Sequence, residues 1–456
     1  MLNTLGDLKA EADAQQETGN HLQALKIYRL VLEAAPLDFE LRLEIGELFE
    51  KLQKNELASA VFHSVALHDT KSGNPLRAIS ALKRLERHQG NTTAIVDLLT
   101  QMYGFGSAVV GRGLKPAPTD YSAKLRKNLD INYEIDEGQL IADTAKMAAY
   151  IDNIQNYPKV VPPVPIFSVL VKDAFKLLLG ALELRTFQQG DAIIKQGDAG
   201  EAVFFLCRGE VSVMRKTDAG PDEEDEVCLA RLGPGSLFGE MALISADPRS
   251  ASVVCDTSVD VLELTRASVN EISQKMPQVS QVMARFTRER MITNLLSTNP
   301  LFKPFDEESK KQLLARFTGH EVPEGTIFLE QGEVGNGLYI ILQGSASVQK
   351  WDGEEYVKLA ALGPGDVAGE MSLLFEEPVS ATVQTTAPST LLFLARELFT
   401  PLVEALPELL AHFNRLAENR LADTEQKMAS RIAPDISAGE DEDGETQLGE
   451  DDLVFI

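Results

Sequence analysis

Apolar residues recur at helical spacing through the first hundred positions. Leu25, Tyr28 and Leu32 share one face, and Leu76, Ile79, Leu82 and Leu85 share a later one. The pattern predicts paired amphipathic helices. A step of 34 relates Ala12 to Gly46, Ala24 to Ala58 and Tyr28 to Phe62. Small residues at the first two positions let paired helices approach closely, the aromatic fills the gap between units, and Pro36 ends the second helix. A third helical pair, about 75–88 and 91–103, falls out of this register, and Thr70 stands where a second terminal proline is expected.

From residue 165 onward the pattern changes to apolar strands separated by glycine turns, and the whole set occurs twice. Pro165-Ile-Phe167 and Pro300-Leu-Phe302 open the two copies. Gly197 and Gly332 sit in Gln-Gly-Asp and Gln-Gly-Glu turns, Gly209 and Gly344 follow apolar strands, and Leu-Gly-Pro-Gly occurs at 232–235 and 362–365. The offset is 135 up to the second glycine and 130 after it, so the first copy carries five extra residues, in the acidic loop Lys216 to Glu226.

The richest chemistry lies in Phe238-Gly-Glu-Met-Ala-Leu-Ile-Ser-Ala-Asp-Pro-Arg-Ser-Ala-Ser-Val253. It returns at Ala368-Gly-Glu-Met-Ser-Leu-Leu-Phe-Glu-Glu-Pro-Val-Ser-Ala-Thr-Val383 with 8 of 16 positions identical. Gly239 lets backbone approach a ligand, the amides of the turn after it point at an anion, and the guanidinium of Arg249 neutralises that anion with paired donors. Glu240, acceptor-only when ionised, suits a sugar hydroxyl. The second copy keeps Gly369 and Glu370 but has Val379 and Ser380 where the first has Arg249 and Ser250.

Both segments resemble the phosphate-binding cassette of cyclic nucleotide-binding domains, the module of cAMP-dependent kinase regulatory subunits and bacterial catabolite regulators. The helical stretch resembles tetratricopeptide repeats. Together these resemblances imply a multidomain α+β chain, with all-α repeats at 1–103 followed by two jelly-roll-like β-rolls and their flanking helices at 165–297 and 298–422. By the same resemblance Glu240 holds the ribose 2′-hydroxyl and Arg249 the cyclic phosphate. Gly239, Met241, Ala242, Ser250 and Ala251 complete the cradle, in which the amides near Ala242 and Ala251 face the phosphate. Ser250 stands where the family tends to have Ala for cAMP and Thr for cGMP, and cAMP is favoured. The second site, with Gly369, Glu370, Val379 and Ser380, is degenerate. The helix opened by Pro277 supplies lid candidates in Met283, Arg285 and Phe286.

Composition narrows the function. A chain of 456 residues with 44% hydrophobic positions supports about three domains. The net charge of −26 disfavours a broad nucleic-acid surface, which is built from Lys and Arg. Cys207, Cys228 and Cys255 lack metal spacing and read as buried thiols of a reducing cytosol. The first residues lack a signal-peptide pattern, and nowhere does an apolar run reach membrane length, so a cytoplasmic location is expected. Residues 104–164, opening Gly104-Phe-Gly-Ser and rich in proline, read as a linker with room for one helix within 137–155, and 423–456 as a short helix and an acidic tail.

No hydrolase, metalloprotease or kinase motif is present in the sequence, so an enzyme is not expected. The chain reads as a cytoplasmic cyclic-nucleotide receptor or adaptor acting on a protein partner through 1–103. The alternative is a scaffold with ligand-free rolls. A transcription regulator would need a basic helix-turn-helix after a roll, which the sequence beyond Asp423 does not offer.

Overall fold

The computed structural model describes residues 3–113, 117–125, 131–150, 157–164, 166–217, 225–240, 249, 251–298, 302, 305–405 and 407–432. The chain divides into two compact units, Met1–Met291 and Ile292–Ile456.

The first unit begins with six helices: α1 (Leu5–Glu17) pairs with α2 (His21–Ala34) and α3 (Phe39–Lys51) with α4 (Asn55–Ser72), while α5 (Pro75–Arg87) and α6 (Thr93–Tyr103) each pack on α4 instead of forming the third pair that the sequence predicts. Their ends follow local chemistry. Thr4 and Asp7 form a capping box at α1, Asp38 caps α3 through the Leu41 amide, and Pro75 occupies the first turn of α5. Ala12, Ala24, Ala58 and Phe62 are fully buried, as the 34-residue step predicts. Tyr28 is buried too, and its hydroxyl donates to Asp13 at 2.6 Å.

Described residues of the 104–164 stretch pack on these helices in several places. Helix α7 (Glu137–Ala149) lies against α2, α3 and α4. Arg42 donates to the carbonyls of Met147 and Ala148 at 2.7 and 2.6 Å, filling the acceptors that a helix C-terminus leaves open. Gly111 N donates to Val161 O, and Phe105 N to Leu170 O.

The first roll follows α8 (Lys172–Ala181). Its strands are β1 (Glu183–Phe187), β2 (Ala192–Ile194), β3 (Ala202–Arg208), β4 (Val211–Thr217), β5 (Asp225–Leu232), β6 (Leu237–Phe238), β7 (Ser252–Cys255) and β8 (Val259–Thr265). They form two four-stranded antiparallel sheets, ordered β1-β8-β3-β6 and β2-β7-β4-β5, around Ile194, Phe204, Leu206, Val253 and Val261. Helices α9 (Arg266–Lys275) and α10 (Pro277–Thr298) follow, and Val279 and Met283 of α10 pack into the first unit's core. Cys207 and Cys255 are buried as expected. Cys228 is exposed, because β5 is the edge strand of its sheet.

The second roll repeats the plan. After α11 (Glu307–Leu314) come β9 (Thr318–Val322), β10 (Ile327–Leu329), β11 (Gly337–Gln343), β12 (Ala346–Trp351), β13 (Tyr356–Leu362), β14 (Val367–Ala368), α12 (Glu370–Leu374), β15 (Thr382–Thr385) and β16 (Ser389–Ala395). The sheets are β14-β11-β16-β9 and β10-β15-β12-β13, the same two orders as in the first roll. Helices α13 (Arg396–Ala405) and α14 (Pro407–Ile432) close the described chain. Among the described residues, no helix is long and apolar enough to cross a membrane.

Candidate functional site

Gly239 follows β6 with φ +74°, in the left-handed region where glycine is unstrained. A Cβ there would lie 3.0 Å from Arg249 Nη1 and 3.2 Å from Ala202 O, so only glycine leaves room for the arginine to fold over this turn. Arg249 Nη1 donates to Gly239 O at 2.9 Å and Nη2 to Ala202 O at 2.8 Å. Its backbone is held by the Gln-Gly-Asp turn: Arg249 N donates to Asp198 O at 2.8 Å, and Gly197 N donates to Arg249 O at 2.9 Å.

Glu240, the next residue after Gly239, is 5% exposed. Partial burial lowers the affinity of Arg249 for its proton, and the neighbouring Arg266 adds to this, while Glu240 and Asp198 oppose it. The site thus sets a half-buried cation beside a buried acid at a glycine turn. Two of the five guanidinium N–H groups of Arg249 donate to backbone carbonyls in these bonds. These residues fit a ligand carrying both an anion and a hydroxyl. Ala251, two positions after Arg249, is half-buried; Met241, Ala242 and Ser250 fall outside the described residues.

Arg266 is a neighbour that sequence reasoning missed. Its Nη2 donates to Gly200 O at 2.9 Å. The second roll has Arg396 in the same place, donating to Gly335 O at 2.7 Å and to Ser372 O at 3.1 Å. An arginine recurring at the 130 offset was the available signal.

In the second roll the backbone frame is the same. Val379 N donates to Glu333 O and Gly332 N to Val379 O, each at 2.8 Å, and Gly369 has φ +91°. The side chains differ. Val379 is buried in the roll core, Ser380 is exposed, and Glu370, 1% exposed, is paired with Arg420 of α14 at 2.6 Å. The cavity among these groups is about 120 Å³, below the 300–1,000 Å³ typical of ligand pockets. A larger cavity of about 720 Å³, lined by Phe39, His68, Arg77, Tyr157, Pro162 and Cys207 among others, does not include Gly239, Glu240 or Arg249.

Two antiparallel β-rolls, each with a glycine-acid turn in one backbone frame, define a duplicated module. Residues 184–276 and 320–405 both match the cyclic nucleotide-binding domain family. The chain therefore carries two cyclic nucleotide-binding domains in tandem. It is 30% identical over 218 residues to the cAMP-dependent protein kinase regulatory subunit of Yarrowia lipolytica, covering 48% of this chain and 53% of that one. Over 221 residues it is 27% identical to the type II regulatory subunit of Drosophila melanogaster, covering 48% and 54%. The chain spans about half the length of these relatives. The regulatory domain of Toxoplasma gondii PKA, crystallised with cAMP, aligns at 24% identity with a TM-score of 0.27, covering 56% of this chain and 92% of that one.

Proposed function

We propose that the first roll, at 165–297, is a receptor for a cyclic mononucleotide. Glu240 accepts the ribose 2′-hydroxyl, Arg249 pairs with the cyclic phosphate, and cAMP is favoured over cGMP. The observation that carries this reading is the half-buried Arg249 guanidinium held over Gly239 beside the buried Glu240. A buried carboxylate and a half-buried guanidinium match a ligand that presents a hydroxyl and an anion together. The second roll, at 298–422, is read as not binding the same ligand appreciably, since Val379 offers a phosphate no counter-charge and Glu370 is engaged by Arg420.

The receptor acts on a protein partner, and the repeats at 1–103 are the recognition element. Support comes from relatives that are named regulatory subunits of a kinase. A cytoplasmic setting suits the three unpaired cysteines.

Calorimetric titration of the full chain with cAMP and with cGMP tests the site. One site per chain is expected. Removing one partner of a buried, hydrogen-bonded charge pair costs about 2–5 kcal/mol, and about 1.4 kcal/mol is a decade, so Arg249→Ala should weaken binding roughly 30-fold to several thousand-fold. An affinity unchanged by that substitution overturns the assignment.

A further inference from the structure

The helical repeats and the first roll meet at four charges. Glu47 of α3 and Arg84 of α5 come from the repeats; Arg208 of β3 and Asp260 of β8 come from the roll. Arg84 Nη2 lies 2.5 Å from Glu47 Oε1 and 2.9 Å from Asp260 Oδ1. Arg208 Nη2 lies 2.8 Å from the same Glu47 oxygen, and its Nε 3.1 Å from Asp260 Oδ2 without hydrogen-bond alignment. Each acid therefore touches both bases, and one contact in each direction crosses between repeats and roll. Arg84, Arg208 and Asp260 are 3%, 5% and 0% exposed. Thr186 of β1 donates a further hydrogen bond to Asp260 at 3.0 Å.

The second roll shows what is particular here. The pairing of β3 with β8 shifts by one residue between Leu206 and Arg208, a bulge that sets Arg208 opposite Asp260. The pairing of β11 with β16 shifts at the same place, between Ile341 and Gln343, but there Gln343 stands opposite Thr390. The irregularity belongs to both rolls. The charged pair belongs to the one packed on the repeats.

Strand β3 joins this cluster to the nucleotide site. The carbonyl of Ala202, its first residue, accepts from Arg249 Nη2, and Arg208, its last, reaches Glu47. Between these ends every residue of β3 is buried, and the strand is paired to β8 on one side and β6 on the other. Strand β3 is thus one packed element with the Arg249 contact at its first residue and the charge cluster at its last.

We propose that the Glu47–Arg84–Arg208–Asp260 cluster is a latch holding α3 and α5 on the first roll, and that nucleotide at Arg249 opens it. This rests on the reading of Arg249 as the phosphate ligand. A cyclic phosphate competes with Ala202 O for the guanidinium, the start of β3 relaxes, and Arg208 loosens its hold on Glu47. The face of α3 and α5 that carries Glu47 and Arg84 is then released for a partner. Linkage makes the effect reciprocal, so weakening the latch tightens nucleotide binding.

The test uses the full chain, with cAMP as probe. Glu47→Gln removes the acid on the repeat side without touching the nucleotide site. It should tighten cAMP binding by about 5-fold or more, the lower end of ordinary allosteric coupling. Hydrogen exchange on the unsubstituted chain reads the same coupling should the variant fold poorly, and amides of α3 and α5 should exchange faster with cAMP bound. If cAMP binds the chain and Glu47→Gln equally, and exchange in α3 and α5 is unmoved, the latch is refuted while the nucleotide site stands. If neither cAMP nor cGMP binds the unsubstituted chain, the site reading and the latch fall together.

Discussion

Arg420 of α14 donates to Glu370 at 2.6 Å, so the acid that begins the second roll's glycine turn is held by the helix that follows the roll. Glu370 is 1% exposed, and an unpaired carboxylate at such depth is costly. Arg420→Ala should destabilise the second roll by about 2–5 kcal/mol, toward the lower figure because the arginine side chain keeps 29% of its exposure. Glu370→Gln should cost less, and the double substitution less than the sum of the two. Urea unfolding of the four proteins measures this; additive losses would show that the pair is not coupled.

A second outcome follows from the shared backbone frame of Arg249 and Val379. Val379→Arg restores a cation to the turn, but Glu370 remains bound to Arg420 and the cavity remains small. That single substitution should leave the cAMP stoichiometry at one per chain. Combined with Arg420→Ala it should raise the value toward two, read by calorimetry. A second site appearing with Val379→Arg alone would show that Arg420 does not block it.

The pH dependence of stability should carry a mark of His68. Burial pushes its pKa down to about 4, with Arg77, Arg42 and Lys71 adding to the effect, and its ring stacks on Phe39 at 3.5 Å. The folded state therefore binds fewer protons than the unfolded one between the ordinary value near 6.5 and the folded value near 4. The contribution of His68 is complete above pH 6.5 and is lost as pH falls toward 4, a change on the order of 3 kcal/mol. Urea midpoints measured across this window should rise less steeply in His68→Phe. Identical slopes in the two proteins would remove His68 from the account.

Gly46 faces Phe62 with no space between them. A Cβ at Gly46 would stand 2.4 Å from Phe62 Cε1, and the ring is fully buried. Alanine in a helix gains about 0.5–1 kcal/mol over glycine, but overpacking a tight core costs about 1–3 kcal/mol, and the clash is the larger effect. Gly46→Ala should lower the thermal midpoint of the first unit. A rise would mean that α3 and α4 can part at small cost.

The repeating parts of this fold were legible because repetition is a signal independent of any one residue. Ala12 with Gly46, Ala24 with Ala58 and Tyr28 with Phe62, the positions that the 34-residue step relates, are all buried, and the 135 and 130 offsets mark two rolls with one strand order. What joins the parts was not legible. Arg84 meets Asp260 across 176 positions, and Arg42 meets Ala148 across 106. In the sequence these are ordinary charges on helices and strands, with the look of solvated faces. Long-range ion pairs leave no local pattern, and Arg420, beyond both cassette copies, was invisible for the same reason.

The bulge in β3 gives the count of residues in that strand a meaning of its own. Side chains along a strand alternate between its two faces, so parity decides which ones look inward. With the extra residue, Cys207 is buried and Arg208 meets Asp260 while the upstream pairs keep their places. Deleting one residue between Ala202 and Arg208 would leave the composition almost unchanged and turn one end of the strand over. Tolerance at this strand is therefore asymmetric: exchanges of similar volume can drift, whereas a change of length by one cannot, because it would separate the end that touches the helices from the end that touches Arg249.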